Sequence, residues 1–415
     1  MKRGMAVGLL LGGWAATVFS AANATARPGE GIRVGHMAIS PFVDLSATYD
    51  SNVFLTEENE QDDFFADLIP GVAVLNRTDT LILKGRVWGQ FRRYQDFDEN
   101  DSDGLGERVG LILGTEEDPR LSVEQKYVRV EDYEAYPRSV DSLNLESQRL
   151  ELTEDRTERV KRDVFDVGVI AGRPLSDRLR LDVGYGYGFV DYDTRELFDW
   201  DEHKVQAEAK MELTDKTSAL LTGQYSLQSS DGLPEDSSFY LGRVGLYNRT
   251  TAKTALKGGV GFERYNADVQ SEAGEDLDET IVNFDLAATW DATPKLRFQA
   301  SGRNGIQPAT QYARNTKELM LFGLGASYSL TDTVLLSAGG SHRRDDYVGS
   351  VRVGDEYLEK TRKLYGGRAR LDYRPHAKFY ELYLEGTYEN ADDNLEDDYA
   401  DYEQWRASAG IFVRY

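Results

Sequence analysis

The chain has 415 residues, of which 72 are acidic and 48 are basic, and its formal net charge is −24. This balance excludes the basic surface that nucleic-acid binding requires, so we expect no nucleic-acid partner. The sequence contains no cysteine, which excludes disulfide bonds and thiolate metal sites.

The N-terminus has the pattern of a secretory signal peptide. Lys2 and Arg3 give it a positive start, Met5–Phe19 is largely apolar, and small residues offer cleavage after Ala24 or Ala26. A retained membrane anchor is the alternative, but this apolar stretch is short for a helix that spans a bilayer. No later segment approaches the length of about 20 apolar residues that a transmembrane helix needs.

Alternation of apolar and polar residues follows along nearly the whole remaining chain. It is clearest in Lys204–Leu213 and Thr280–Trp290, where every second side chain is apolar. Successive side chains of a strand point to opposite faces, so this pattern indicates β-strands and argues against helices. We count about eighteen such segments, most of them long enough to span a bilayer when tilted.

The connections between these strands are alternately short and long. Short turns such as Asn76–Asp79 and Arg249–Lys253 are rich in residues that favour tight turns, whereas segments such as Ser51–Asp62 are longer and polar. A repeat of about 40 residues also occurs in β-propellers, but each propeller blade contains four short strands. Here two long strands fill each repeat, which favours a row of antiparallel hairpins.

We therefore predict an all-β fold, a closed antiparallel transmembrane β-barrel of about eighteen strands with short periplasmic turns and long extracellular loops. Closure removes the reactive edges that an open sheet of this size would leave. The predicted domains are a signal peptide (residues 1–26), a short periplasmic N-terminal segment (27–40) and the barrel (41–415). We expect the barrel in the outer membrane of a Gram-negative cell, with both termini in the periplasm.

The C-terminal segment Trp405–Tyr415 is a two-faced strand that ends on an aromatic residue. It resembles the closing strand of outer-membrane β-barrels, whose outward face meets lipid and whose inward face is polar. By that resemblance Tyr415 is the signal that the barrel-assembly machinery reads. The expected partners are therefore this machinery and outer-membrane lipid.

Basic residues recur on the strand faces that are predicted to point inward. The candidate pore-lining set is Lys84, Arg86, Arg92, Arg180, Lys204, Lys210, Arg243, Lys257, Arg297, Arg303, Arg343, Arg368, Arg370, Arg406 and Arg414. A cationic wall would concentrate anions in the pore and discriminate against cations. The alternative is that these residues pair with acidic residues on neighbouring strands and only solvate the wall.

The longest predicted loop, Glu131–Glu158, follows the fifth strand. In general porins the corresponding loop folds inward and narrows the pore. By that resemblance Tyr133, Tyr136 and Arg138 are candidates for a constriction. The alternative is a hairpin that stands above the membrane, which the alternating leucines of this loop favour.

The sequence does not predict an enzyme. Of the four histidines, His342 lies near two carboxylates, Asp345 and Asp346. Its neighbour Ser341 would point to the opposite face of the strand, so the two side chains cannot form a catalytic pair. Acidic loop clusters have the residue types that bind Ca²⁺ or Mg²⁺, but none has a complete calcium-loop spacing. We therefore assign no catalytic residue, no metal site and no cofactor.

The segment Tyr49-Asp50-Ser51-Asn52-Val53-Phe54 follows the first predicted strand. It resembles the Tyr-Asp-x-Asn opening of the β-barrel porin 2 family of outer-membrane barrels. Members of that family are associated with the export of exopolysaccharide. The resemblance covers the whole mature chain in architecture and implies no catalytic residue.

This resemblance implies a passive outer-membrane channel that exports an extracellular, anionic polysaccharide, guided by the basic wall. The polysaccharide and periplasmic export components would then be further partners. Two alternatives stay open, namely a general diffusion porin for small solutes and a structural or adhesive surface barrel with a plugged lumen.

Overall fold

The computed structural model describes residues 25–27, 31–115, 118–132, 160–193, 199–230, 236–267, 278–308, 316–348, 351–353, 356–375, 379–394 and 401–415. Nearly all of these residues lie in antiparallel β-strands. The described ranges also contain one 3-10 turn, Asp98–Asn100, which follows one of the strands. In these ranges no helix has the length and the apolar character that crossing a membrane would require.

Eighteen of the described strands form the barrel, as the alternation predicts. They are β3 (Met37–Asp50), β4 (Asp63–Arg77), β5 (Leu81–Tyr94), β6 (Ser102–Gly114), β7 (Pro119–Asp132), β8 (Val160–Pro174), β9 (Leu179–Tyr192), β10 (Trp200–Thr214), β11 (Thr217–Ser230), β12 (Asp236–Thr251), β13 (Thr254–Ala267), β14 (Glu279–Thr293), β15 (Leu296–Pro308), β16 (Thr316–Ser329), β17 (Val334–Val348), β20 (Thr361–Tyr373), β21 (Tyr380–Asp393) and β22 (Tyr402–Arg414). The shorter strands are β1 (Thr25–Arg27), β2 (Gly31–Val34), β18 (Val351–Val353) and β19 (Glu356–Leu358).

The barrel closes because the last strand, β22, pairs with the first barrel strand, β3. The pairing is antiparallel and runs from Arg406 opposite Asp50 to Arg414 opposite Phe42. Every other barrel strand pairs with its neighbours along the chain, with the β18–β19 hairpin inserted between β17 and β20. The predicted closed antiparallel barrel is confirmed.

The N-terminal strands extend the sheet at this seam. β1 and β2 form a short antiparallel ribbon, and β2 pairs with the beginning of β3, where Val34 lies opposite Met37. Beside it, the backbone N–H of Tyr415 donates to the carbonyl oxygen of Pro41 at 2.9 Å. The first barrel strand therefore begins at Met37, four residues before the predicted start of the barrel.

The two ends of the barrel differ. We call the end with the short connections the turn end, and the end with the longer connections, such as residues 51–62, the loop end. The chain enters β3 at the turn end and leaves β22 at the same end.

The two faces of the sheet also differ. Large apolar side chains are exposed on the outward face, for example Leu324 at 69% and Phe262 at 66%. Aromatic residues cluster outward near the loop end, where Tyr49 lies between Phe64 and Trp405 with ring centroids 5.0 and 4.9 Å apart. An apolar band with aromatic girdles is the surface that a β-barrel presents to lipid.

Candidate functional site: the inner wall and the seam

The register of the sheet places the predicted pore-lining basic residues on the inward face. On β5, Val87 is 44% exposed on the outward face, so Arg86 points inward, and it lies opposite Arg108. On β17, Arg343 lies opposite Leu364 on the inward face, and the neighbouring His342 points outward. The other basic residues of the set also point inward, because directly opposed residues on neighbouring strands share a face of the sheet.

At least eight of these basic residues form ion pairs with acidic residues of the wall. Arg92 binds both oxygens of Asp67 at 2.9 and 3.2 Å, and both side chains are buried. Arg370 contacts Asp372 at 2.6 Å and Glu385 at 3.1 Å. Further pairs join Arg180 to Asp182, Arg243 to Asp285, Arg297 to Asp291, Arg343 to Asp345, Arg368 to Glu385 and Arg406 to Asp50. The inner wall therefore carries both signs of charge, as the pairing alternative expects.

The buried charges at the loop end were not among the predicted site residues. Lys317 contacts Asp345 at 3.0 Å, and Lys360 contacts Asp393 at 2.9 Å, with each of these side chains at most 2% exposed. Charges buried to this extent are stable only when they are paired. The alternation on β17, which extends to Val348, places Asp345 inward, but its sequence signal is hidden because the outward neighbours Arg344 and Asp346 are also charged.

Burial is uneven along the inner wall. Inward side chains near the loop end are packed, such as Tyr265 at 0% and Leu319 at 2% exposure. Nearer to the turn end, Arg108 and Glu124 form an ion pair in which their side chains stay 58% and 49% exposed. Three apolar clusters lie at the loop end, around Tyr265 and Ile281, around Leu55 and Tyr402, and around Val190 and Tyr192. The described inner wall is therefore more closely packed at the loop end.

The sequence motif after the first barrel strand closes the seam at the loop end. Asp50 is fully buried and accepts hydrogen bonds from Arg406 Nε at 2.7 Å and from Gln404 Nε2 at 2.9 Å. Asn52 is also fully buried, and its amide donates to the carbonyl oxygens of Thr56 at 2.7 Å and Glu403 at 3.0 Å. We call Asp50, Asn52, Gln404 and Arg406 the seam latch. It joins strands that are more than 350 residues apart in the sequence.

The latch also directs the first long connection, residues 51–62, against the inner wall. Leu55 is 6% exposed and packs in one cluster with Leu364, Ala391 and Tyr402. Its φ is +54°, a left-handed value that is uncommon for a residue other than glycine and persists only where the surroundings enforce it. This connection therefore narrows the interior of the barrel at the loop end. The predicted constriction residues Tyr133, Tyr136 and Arg138 lie outside the described residues.

An aromatic surface lies on the inner wall beside the seam, toward the turn end. It consists of Phe42, Trp88, Tyr383 and Phe412, and we call it the aromatic surface. The Arg86 guanidinium lies 4.4 Å from the Phe42 ring centroid and 5.4 Å from that of Trp88. Arg370 lies 4.2 Å from the centroid of Tyr383. Flat rings and guanidinium groups thus share one side of the wall.

Carboxylate groups that accept hydrogen bonds lie beside the rings of the aromatic surface. The Tyr383 hydroxyl donates to Asp44 at 3.1 Å, and Arg370 is held by Asp372 and Glu385. Phe42 and Phe412 face each other with their ring centroids 5.7 Å apart. The surface therefore offers apolar ring faces together with charged donors and acceptors, a combination that binds polar organic ligands.

The other candidate groups give no catalytic geometry. His342 stacks on Tyr365 at 4.7 Å on the outward face, whereas Ser341 lies on the inward face beside Gly366. Among the described residues no cluster of three or more His, Asp or Glu has an arrangement that could hold a metal ion. In the acidic loop near the C-terminus, burial and the charges of Asp392 and Asp393 raise the pKa of Asp401.

The comparison with protein families gives a match over residues 27–171, to the family described as "Putative beta-barrel porin 2". The matched segment contains the motif of the seam latch and the strands that follow it. The protein is an outer-membrane β-barrel that resembles this porin family. The matched part of the chain is therefore porin-like. No match to a curated protein was found.

Several solved structures are similar to this chain at a low level. The outer membrane protein OpdK from Pseudomonas aeruginosa is 12% identical, with 91% of this chain and 99% of OpdK aligned at a TM-score of 0.48. OprD from the same organism is 12% identical, with 95% of this chain and 99% of OprD aligned at a TM-score of 0.45. The outer membrane channel DcaP of Acinetobacter baumannii is 12% identical, with 93% of this chain and 99% of DcaP aligned at a TM-score of 0.45. Similarity at this level does not identify a transported solute.

Replacing Asp50 by alanine tests the seam latch. Asp50→Ala removes the buried carboxylate that pairs with Arg406, whose side chain is 13% exposed. Loss of one member of a buried ion pair is expected to lower the free energy of unfolding by about 3–5 kcal/mol. The measurement is urea unfolding of the protein folded in lipid vesicles.

Glu124→Ala is the matched control, because the ion pair of Glu124 with Arg108 is about half exposed and such pairs contribute little. An equal loss of stability in both variants would contradict a special role for Asp50.

Proposed function

We propose that this channel exports an extracellular polysaccharide, with the loop end facing the cell exterior and the turn end facing the periplasm. The observation that carries the proposal is the aromatic surface, with Arg86 and Arg370 packed on its rings. The resemblance to the β-barrel porin 2 family supports the same proposal. The channel would act passively and would need a supply of polymer from the periplasmic side.

The chemistry of the aromatic surface suits a carbohydrate chain. The C–H faces of sugar rings are apolar and can lie against Trp88 and Tyr383, while the sugar hydroxyl groups need both donors and acceptors. Arg370 supplies N–H donors, and Asp372 and Glu385 supply acceptor oxygens. Carboxylate groups of an acidic polymer would bind the guanidinium groups in bidentate geometry.

The paired charges suit transport as well as binding. A conducted molecule must bind well enough to enter the pore but weakly enough to leave each site. A wall of unpaired arginines would hold a polyanion tightly. Carboxylates such as Asp67, Asp285 and Glu385 compete for the same guanidinium groups, so each contact with the polymer would be weakened.

A general diffusion porin is the second candidate, and the charge pairing also favours it. A wall with both signs of charge has a weak net field and discriminates little between small ions. A structural or adhesive barrel with a plugged lumen is the third candidate, and the close packing at the loop end is the feature that favours it. Single-channel conductance separates the plugged barrel from both channels.

The export role is tested by removing the rings of the aromatic surface. We expect Trp88→Ala with Tyr383→Ala to reduce surface polysaccharide at least about tenfold, because stacking contributes roughly 1.5 kcal/mol or more in total. The measurement is quantification of cell-surface polysaccharide in a deletion strain that is complemented with each variant.

The control is Tyr225→Ala with Tyr240→Ala, an outward pair of tilted rings with their centroids 5.0 Å apart. The export proposal is wrong if the deletion strain keeps the wild-type level of surface polysaccharide. It is also wrong if the Trp88→Ala, Tyr383→Ala variant, present in the membrane at the wild-type amount, keeps that level. Single-channel conductance of the same proteins would still report on a diffusion porin.

Charge reversal tests whether the arginines on the aromatic surface set ion selectivity. We expect the wild-type channel to have a weak preference for anions, because most wall charges are paired. Arg86→Glu with Arg370→Glu changes the local charge by four units and is expected to reverse the preference to cations. The measurement is the reversal potential across a planar bilayer in a salt gradient.

Arg93→Glu serves as the control, because Arg93 lies on the outward face at the loop end, where it pairs with Asp103 at 2.9 Å. A cation preference in the wild-type channel, or an unchanged reversal potential after the double replacement, would contradict this role of the arginines.

A further inference from the structure

An ionisable residue lies on the outward face of β6, inside the apolar band. The nearest side chains on the same face of β6 are Leu105 toward the loop end and Val109 toward the turn end. Leu105 is 49% exposed. On the neighbouring strand it lies opposite Val87, which is 44% exposed. Ionisable residues that face lipid are destabilising and therefore rare, and they commonly mark functional sites.

The depth of Glu107 follows from its place on the strand. The outward ion pair of Arg93 and Asp103 marks the polar boundary at the loop end, four residues from Glu107. With a rise of ~3.4 Å per residue and a tilt of ~40°, this distance is about 10 Å along the membrane normal. With the same rise and tilt, Leu113 at the turn end lies about 15 Å from Glu107 along the membrane normal, in the opposite direction. Glu107 is therefore well inside the apolar band.

Gln125 on β7 is the hydrogen-bond partner of Glu107. Its side-chain amide donates to Glu107 Oε1 at 2.8 Å. Gln125 also points outward, because it lies opposite Val109 on one side and Val167 on the other. An amide has two N–H donors and one acceptor oxygen, and a carboxylate has two acceptor oxygens. Both groups therefore have capacity for further hydrogen bonds after this one.

Polar groups continue from this pair toward the loop end. Arg129 binds both oxygens of Asp163 at 2.8 Å, and the Tyr127 hydroxyl donates to Asp163 at 3.0 Å. We call Glu107, Gln125, Tyr127, Arg129 and Asp163 the polar face. On the opposite side of the barrel, the outward positions of β13 and β14 at similar depth are apolar, with Val260 at 52% and Val282 at 58% exposure.

The polar face needs a partner that lipid does not supply. Acyl chains have no hydrogen-bonding groups, and the charged head groups of lipids lie at the membrane surface, about 10 Å above Glu107. A protein partner at this depth must bring complementary donors and acceptors. Gly85 and Gly89 on β5 lie outward beside the polar face, opposite Val109 and Leu105, so a partner backbone could approach closely.

We propose that the polar face is the contact surface between two copies of this chain in the membrane. The face complements itself: across a two-fold axis the Gln125 amide of one copy donates to the Glu107 carboxylate of the other, and the reverse bond forms by symmetry. A two-fold contact of this kind uses the same patch on both partners. The proposal does not depend on which solute the channel transports.

Cysteine cross-linking in intact outer membranes tests this contact, because the natural chain contains no cysteine. We expect Gln125→Cys to give an oxidant-dependent, reductant-sensitive product with the mass of two chains. Val282→Cys, exposed on the outward face of β14, is the control and is expected to give none. Absence of the two-chain product from Gln125→Cys, equal cross-linking of both variants, or cross-linking to a different protein would overturn the proposal.

A second measurement separates loss of contact from loss of folding. We expect the wild-type protein to have the mass of two copies in mild detergent by native mass spectrometry. Glu107→Leu with Gln125→Leu is expected to have the mass of one copy while it keeps the heat-sensitive gel mobility of a folded barrel. A wild-type protein with the mass of one copy, or a folded double variant that remains a pair, would contradict the proposal.

Discussion

The constraint on which the structure depends is that a chain in lipid must satisfy its own backbone hydrogen bonds. Lipid offers no donor or acceptor, so a sheet can cross a membrane only when it has no free edge. Here the edge is removed by pairing β22 with β3. The seam latch then secures this joint at the loop end, and the β1–β2 ribbon extends it at the turn end.

The same constraint reverses the usual order of a soluble protein, because the apolar side chains lie outside and the charges lie inside. The inward charges are held in pairs, and several are deeply buried, such as Arg92 with Asp67 and Lys317 with Asp345. Pairing of this kind makes the wall rigid and rich in hydrogen bonds without giving it a strong net charge. The acidic excess of the whole chain therefore does not describe the surface that a solute would meet inside the barrel.

The strands and their faces were predictable from the sequence because each strand has one side in lipid and the other in a polar interior. The loop ends were less predictable, since outward residues there are also polar. On β17 the outward Arg344 and Asp346 pair with each other, which hides the alternation that places Asp345 inward. The basic residues of the predicted wall lie on the inward face, but their role in a pore stays a prediction, and sequence spacing does not show which acidic side chain lies within reach of each arginine.

The motif around Asp50 and Asn52 illustrates the same limit. Its residue types could be matched to a family, but its partners Gln404 and Arg406 come from the other end of the chain. Only closure of the barrel brings the four side chains together. The polar face on β6–β8 was equally hidden, because a single Glu among apolar neighbours resembles an ordinary irregularity of the alternation.

The most direct test of the account is a disulfide across the seam. Ala47 lies directly opposite Ala409, whereas Ala407 lies opposite Tyr49. Opposed residues in neighbouring strands have Cα atoms about 4.5–5.5 Å apart, within the range of a disulfide, and diagonal residues are too far apart. We predict that Ala47→Cys with Ala409→Cys forms an intramolecular bond in the membrane and that Ala47→Cys with Ala407→Cys does not. Absence of the first bond, or equal formation of both, would contradict the closed barrel with this seam.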